Sequence, residues 1–126
     1  MDRTTVSSSN YLVPQGTVVR APGQGECLKL GPLAGKSVLL VLHITDVIEQ
    51  ESLDVSIWGS EDGQSWAEKP LFSFPQQFYQ GDVPAAVHLN LRPEIKFLKA
   101  HWTTNRFGRG YAHPYFRFSL EVQDLD

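Results

Sequence analysis

The sequence of 126 residues has one cysteine, a small net charge and no long apolar run. Cys27 is the single cysteine, so no intramolecular disulfide can form. The longest apolar run, Val38 to Leu42, has five residues, whereas a membrane-spanning helix needs about 20. Eleven Lys and Arg against 14 Asp and Glu give a net charge of −3, which disfavours a duplex DNA binder. The sequence therefore predicts neither a membrane partner nor a nucleic-acid partner.

Known catalytic and metal-binding motifs are also missing from the sequence. The four histidines, His43, His88, His101 and His113, have no short ligand spacing, so no metal or other cofactor is predicted. No Gly-x-Ser-x-Gly elbow marks a nucleophile, which predicts that the protein is not an enzyme. Residues 1–15 contain no apolar stretch of the signal-peptide kind, so a cytoplasmic location is expected by default.

A hydrophobic period of two runs through most of the chain. Leu53, Val55 and Ile57 alternate with polar or amphipathic residues, and the segment Tyr115 to Val122 repeats the pattern. Such alternation is typical of half-buried strands. Ser37 to Thr45 is apolar on both faces for part of its length, which predicts a central strand covered on both sides.

These patterns predict an all-β fold, an antiparallel β-sandwich of jelly-roll type with about eight strands. The expected strands are Thr17–Ala21, Glu26–Leu30, Ser37–Thr45, Leu53–Trp58, Ser65–Phe72, Val87–Leu91, Ile95–Thr103 and Tyr115–Val122. Residues 17–126 are expected to form the single domain. Residues 1–16 are expected to be a flexible N-terminal arm or an added edge segment. Cys27 is expected to be a small buried residue.

The most specific motif is Gly59-Ser60-Glu61-Asp62-Gly63-Gln64-Ser65-Trp66, after the strand that ends at Trp58. Asp62 and Gly63 predict a tight hairpin turn, because glycine accepts a positive φ. Trp66 is then expected to start the return strand and to bury its ring. A strand that ends in Ser-x-Asp-Gly-x-x-Trp resembles the discoidin, or coagulation-factor C-type, domains and related galactose-binding-like jelly rolls.

Two later segments resemble strands of the same family. Lys96 to Trp102 is similar to the strand that reads roughly "aryvRv", and Phe116 to Val122 is similar to the closing strand. The resemblance covers residues 52–124. It implies a jelly-roll fold and makes carbohydrate the first ligand to consider, but the family's binding loops transfer to no position of this chain.

The loop from Asn105 to Pro114 is the predicted ligand-binding site. It concentrates rings, glycines and two arginines between strands, and the candidate residues are Arg106, Arg109, Tyr111 and His113. Arginine offers forked donors for carboxylate, phosphate or sugar oxygens, and aromatic rings offer stacking faces. Loops on a rigid sandwich are common binding sites.

A second segment, residues 70–84, is rich in proline and aromatic residues. Its four rings, too many to leave exposed on a monomer, belong to Phe72, Phe74, Phe78 and Tyr79. Either these rings cap the open end of the core, or they form an interface with another subunit.

The leading functional hypothesis is a non-catalytic interaction or structural module. It self-assembles into a homo-oligomer or docks a protein partner through the apolar segment and the N-terminal arm. The alternative is a carbohydrate- or anion-binding module that uses the loop at residues 105–114.

Overall fold

A computed structural model describes residues 10–47, 51–106 and 116–125. Within these ranges the chain forms nine strands and two short 3-10 turns, and it contains no α-helix. The strands are β1 Asn10–Val19, β2 Gly23–Gln24, β3 Leu28–Lys29, β4 Ser37–Val47, β5 Glu51–Ser60, β6 Phe72–Ser73, β7 Gly81–His88, β8 Phe97–Arg106 and β9 Phe116–Asp124. The 3-10 turns are Gly31–Leu33 and Leu89–Leu91.

The strands form two antiparallel sheets. One sheet has the order β1-β9-β4-β7, and the other has the order β2-β8-β5-β6, with β3 also pairing with β8. The all-β antiparallel sandwich expected from the sequence is therefore confirmed. The two-sheet arrangement follows from the amphipathic strands, because each sheet must bury one apolar face against another layer.

The core lies between the inner faces of the two sheets. The four-stranded sheet contributes Val38, Leu40, Leu42 and Ile44 from β4 and Phe116, Phe118, Leu120 and Val122 from β9. The five-stranded sheet contributes Leu53, Val55 and Ile57 from β5 and Leu98 and Ala100 from β8. All of them are at most 3% exposed. Full burial of one such Leu, Ile, Val or Phe side chain contributes about 1.5–3 kcal/mol.

The central position expected for Ser37 to Thr45 is confirmed. β4 pairs with β9 on one side and with β7 on the other. Its outward residues Leu39, Val41 and His43 are half-buried rather than exposed. Neighbouring strands on both sides shield them, which explains why this strand is apolar on both faces.

Both edges of the four-stranded sheet carry a proline. Pro14 lies in β1, where the register shifts between Val13 and Thr17, and Pro84 lies near the middle of β7. Proline has no N–H to donate to an incoming strand, and a bulge twists an edge away from pairing. Both edges are therefore poorly suited to adding a further strand.

Residues 10–16 of the predicted N-terminal arm lie within β1, which pairs with β9. Leu12 and Val13 are each 1% exposed, because they fill the inner face at this edge of the sheet. The described part of the sandwich therefore begins with β1 at Asn10. Residues 1–9 lie outside the described ranges.

The return strand expected over Ser65–Phe72 does not form. Residues 61–71 make a loop with bends, and pairing with β5 resumes only at β6. The backbone beyond β6 continues along β5, since the N–H of Phe74 bonds to Val55 O and the N–H of Gln77 to Leu53 O. The edge of β5 is thus covered by an extended segment rather than by a regular strand.

Two other expectations are corrected. The strand placed at Val87–Leu91 is β7, which ends at His88 and is followed by a 3-10 turn. Cys27 is exposed, because the segment before β3 lies at the surface and makes only short pairings with β8.

Candidate functional site

The predicted ligand loop, residues 105–114, starts later than expected, because β8 continues through Asn105 to Arg106. Arg109, Tyr111 and His113 lie outside the described residues. Arg106 is the last residue of β8, and its backbone lies opposite Glu51 of β5. The assignment of these residues to ligand binding stays a prediction.

The four rings of the aromatic segment divide into two pairs. Phe74 is 4% exposed, and Phe72 packs against the core with its ring edge-on to Phe74, the centroids 5.0 Å apart. These two rings cap the core, so their surfaces are largely withdrawn from a partner. By contrast, Phe78 is 41% exposed and Tyr79 is 80% exposed, with their ring centroids 6.4 Å apart.

The exposed pair lies at the end of the sandwich where β5 begins and β8 ends. Gln77 pairs with Leu53 at the start of β5, and Leu53 also pairs with Thr104 near the end of β8. We call this end, which carries Phe78 and Tyr79, the Tyr79 end.

The opposite end of β5 carries a tightly hydrogen-bonded loop. The Ser60 hydroxyl accepts from the N–H of Gly63 at 2.9 Å and lies 2.6 Å from Ser65 O, to which it donates. The Asp62 carboxylate accepts from the N–H groups of Gln64 and Ser65, each at 2.8 Å. These backbone bonds from Ser65 and Gln64 hold the pKa of Asp62 below its usual value. Gly63 has the expected positive φ, +80°, and its backbone lies against the ring of Phe97.

This loop positions Trp66. The indole ring is half-buried, and the Lys99 ammonium lies 4.4 Å from a ring centroid. A cation over an aromatic face is attracted by the ring quadrupole. The sequence predicts that Trp66 starts a return strand. In the structure Trp66 lies in a loop instead. It is held on β8 by a charge contact at the outer face of the five-stranded sheet.

Beside Trp66 lies a cleft of about 690 Å³, which we call the Trp66 cleft. Its floor includes Gly59, Leu71 and Ile95, and its charged lining residues are Glu61, Glu68, Lys69, Arg92 and Glu94. A side chain at position 59 would collide with its neighbours, since an added Cβ would lie 2.8 Å from Leu71 Cδ1. Arg92 Nε donates to Glu94 Oε2 at 2.7 Å, which closes one wall with an ion pair.

Sequence reasoning missed this cleft. The sequence predicts a two-residue hairpin turn within the motif from Gly59 to Trp66. The structure has a longer loop, whose backbone groups bond to the Ser60 hydroxyl and the Asp62 carboxylate. The serine two positions before the aspartate was the available signal, because both side chains readily bond to nearby backbone N–H groups.

A second depression lies on the outer face of the same sheet. Ser73, Ser56 and His101 stand in one row across β6, β5 and β8, and Asp54 lies opposite Thr103 in the next row. These five residues, together with Pro70, line a cavity of about 290 Å³, which we call the His101 cavity.

His101 is the central ring of this face. It stacks on Trp58, with centroids 4.9 Å apart and planes inclined by 26°, and Trp58 Nε1 donates to Ser56 Oγ at 2.9 Å. Burial and the positive charge of Lys99 lower the pKa of His101, so its ring is neutral near pH 7. Its Nε2 is buried and has no hydrogen-bond partner among the described residues.

His43 lies on the outer face of the other sheet, between two carboxylates. Its Nδ1 is 2.7 Å from Asp82 Oδ1, and its Nε2 is 3.3 Å from Glu121 Oε1. Burial alone lowers the pKa of His43, but the hydrogen bonds and charges of the two acids outweigh it, and the pKa is raised above 6.5. The three residues form a cross-strand ion cluster on β7, β4 and β9.

One described serine contacts a histidine: Ser37 Oγ lies 2.9 Å from His88 Nδ1. The two residues are direct cross-strand neighbours of β4 and β7, and Ser37 also contacts Asn90. Neither of the two cavities reaches this pair. The contact is therefore accounted for by strand pairing.

Within residues 10–47, 51–106 and 116–125, no group of three His, Cys, Asp or Glu side chains is arranged to hold a metal. Across the same residues, no helix has the length and apolarity to cross a membrane.

No protein-family model and no curated protein matches the chain. Among solved structures, the chain is similar to a chain in the structure of infectious bursal disease virus, Gt strain. The match has 17% identity and a TM-score of 0.39, and it covers 90% of this chain and 29% of that chain. This chain thus spans less than a third of its neighbour's length, and likeness at this level carries no argument about function. The resemblance to discoidin domains stays a prediction.

We predict that Ser60→Ala destabilises the protein by about 1–3 kcal/mol, because the N–H of Gly63 and the carbonyl of Ser65 lose a partner in a partly buried site. Ser65→Ala is the matched control, since Ser65 contributes only backbone groups to the network. It should change the free energy of unfolding by less than about 0.5 kcal/mol. Urea unfolding of the three proteins measures both values. Equal losses in the two variants would contradict the assigned role of the Ser60 hydroxyl.

We predict that the stability advantage of the wild type over His43→Gln depends on pH. A raised pKa in the folded state contributes stability that is present below the ordinary value of 6.5 and is lost as the pH rises through the raised pKa. Urea unfolding at about pH 5.5 and about pH 8.5 should therefore give a larger difference at the lower pH. Asp82→Asn should reduce this dependence. A difference that is unchanged between the two pH values would show that the acids do not favour the charged ring.

Proposed function

We propose that the protein is a non-catalytic interaction module whose contact surface is the Tyr79 end, with a second copy of the chain as its partner. The observation that carries the proposal is the 80% exposure of Tyr79 beside Phe78, at 41%. The neighbouring Phe72 and Phe74 pack on the core, whereas the rings of Phe78 and Tyr79 lie at the surface. Exposed aromatic residues of this kind are enriched at protein interfaces.

The shape of the four-stranded sheet supports contact through an end rather than through a strand edge. Pro14 and Pro84 interrupt the hydrogen-bonding potential of its two edge strands. In the other sheet, the segment from residue 71 to residue 77 covers β5. Association by sheet extension is thus disfavoured, whereas the aromatic pair offers apolar area without strand pairing.

The non-catalytic part of the proposal has its own support. Catalysis by a serine nucleophile requires a base next to a cavity that admits substrate. The contact of Ser37 with His88 lies outside both cavities and follows from strand register. The neutral His101 ring lies beside one cavity and stacks on Trp58. Among the described residues, no acid contacts this ring to orient it as a base.

We predict that the purified protein has a concentration-dependent mass above 14.1 kDa and that the double variant Phe78→Ser/Tyr79→Ser returns it to the monomer. Removing two exposed rings removes the apolar area that drives association. Light scattering coupled to size-exclusion chromatography, over about a hundredfold range of concentration, measures the mass.

Leu91→Ser is the matched control for this experiment. Leu91 is 73% exposed, but it lies in the 3-10 turn after β7, away from the Tyr79 end. It should leave the mass unchanged. A wild-type mass of 14.1 kDa at every concentration would contradict self-association. If Leu91→Ser lowered the mass as much as the double variant does, the assignment of the interface to the Tyr79 end would be wrong.

A further inference from the structure

We propose that the outer face of the five-stranded sheet is a carbohydrate-binding groove that runs from the His101 cavity to the Trp66 cleft. Pro70 lines both cavities, so they adjoin. Along β5, Ser56 lines the first and Ser60 the second, and Trp58 points to the same face between them. The proposal is independent of the proposed function, since the Trp66 cleft and the Tyr79 end lie at opposite ends of β5.

The groove offers flat aromatic surfaces in fixed positions. Lys99 holds the Trp66 ring from one side at 4.4 Å, and His101 stacks on Trp58 at 4.9 Å. The Ser60 and Asp62 network fixes the loop from which Trp66 projects. Rings that are held in this way lose little conformational entropy on binding, which favours affinity. A ligand with a flat apolar face matches them, and the ring of a sugar has such a face.

The polar groups of the groove suit a ligand rich in hydroxyl groups. The His101 cavity has three hydroxyls, from Ser56, Ser73 and Thr103, beside the carboxylate of Asp54. The ring of His101 forms part of the wall of this cavity. A sugar hydroxyl is both donor and acceptor, so it can bond to these hydroxyls and to the carboxylate.

Charge argues against an anionic ligand in this groove. The Trp66 cleft is lined by three carboxylates and two basic side chains, and Arg92 is already paired with Glu94. The His101 cavity adds a further carboxylate from Asp54. A phosphate or a polyanion would be repelled, whereas carboxylates bind neutral hydroxyl groups well, as charge-assisted acceptors.

The dimensions favour a chain of sugars over a single one. Asp54 and Ser60 line opposite ends of the groove, and six residue steps along a strand cover about 20 Å. We therefore infer that the ligand is a neutral oligosaccharide that lies along β5. Trp66 lies beneath one unit, and the His101 ring, which stacks on Trp58, lies beneath another.

The test is isothermal titration calorimetry of the full chain with cellohexaose, xylohexaose, mannohexaose, maltohexaose and chitohexaose. We expect at least one hexaose to bind and its affinity to fall about tenfold or more in Trp66→Ala and in Trp58→Ala, since a buried aromatic contact commonly carries this much. Tyr79→Ser, at the opposite end, is the matched control and should bind as the wild type does.

A second variant keeps the test decisive if a tryptophan variant does not fold, as judged by circular dichroism. Glu61→Gln/Glu68→Gln changes two exposed carboxylates at the cleft and leaves the core untouched. It should weaken the hexaose by about fivefold or more, because a charged acceptor becomes neutral. The proposal is overturned if no hexaose binds, if Tyr79→Ser weakens binding as much as the groove variants do, or if a lysine-rich peptide binds there in place of every sugar.

Discussion

The packing of the inner rows of β4 and β9 against β5 and β8 is the constraint on which the remaining structure depends. β4 and β9 pair from Val38 opposite Asp124 to Val47 opposite Phe116, and their inward residues are almost fully buried. Because side chains alternate along a strand, burial of one row fixes the register of both strands and the direction of every outward residue. His43 owes its position to this register, and His101 with Trp58 owe theirs to the register of β8 and β5.

The two ends of the sandwich differ in chemistry because the strands meet different connections there. At one end the aromatic segment closes the core with Phe74 and then leaves Tyr79 exposed. At the other end, side chains of Ser60 and Asp62 bond to the backbone and build a cleft around Trp66. We therefore assign the proposed protein association to the apolar end and the proposed ligand binding to the face and cleft that carry acids, hydroxyls and indole rings.

Local alternation predicted the fold class and the strands that contribute most to the core. It succeeded for β4 and β9, whose apolar residues recur at every second position. It failed for Ser65–Phe72, because the path of that segment depends on side-chain bonds from Ser60 and on a contact between Trp66 and Lys99, more than thirty positions away. The His101 cavity escaped prediction for a related reason. Most of its residues come from three strands, and the register of β6, β5 and β8 brings these together.

The central claim is that the chain associates through an end of the sandwich and not through a strand edge. Amide hydrogen exchange at low and high protein concentration tests it most directly, since an interface slows exchange where it excludes water. We predict that protection rises with concentration at residues 77–81, at the Tyr79 end. It should stay constant along β1 and along the part of β7 that lies beyond residue 81. Added protection along the length of either edge strand, with none at residues 77–81, would contradict it.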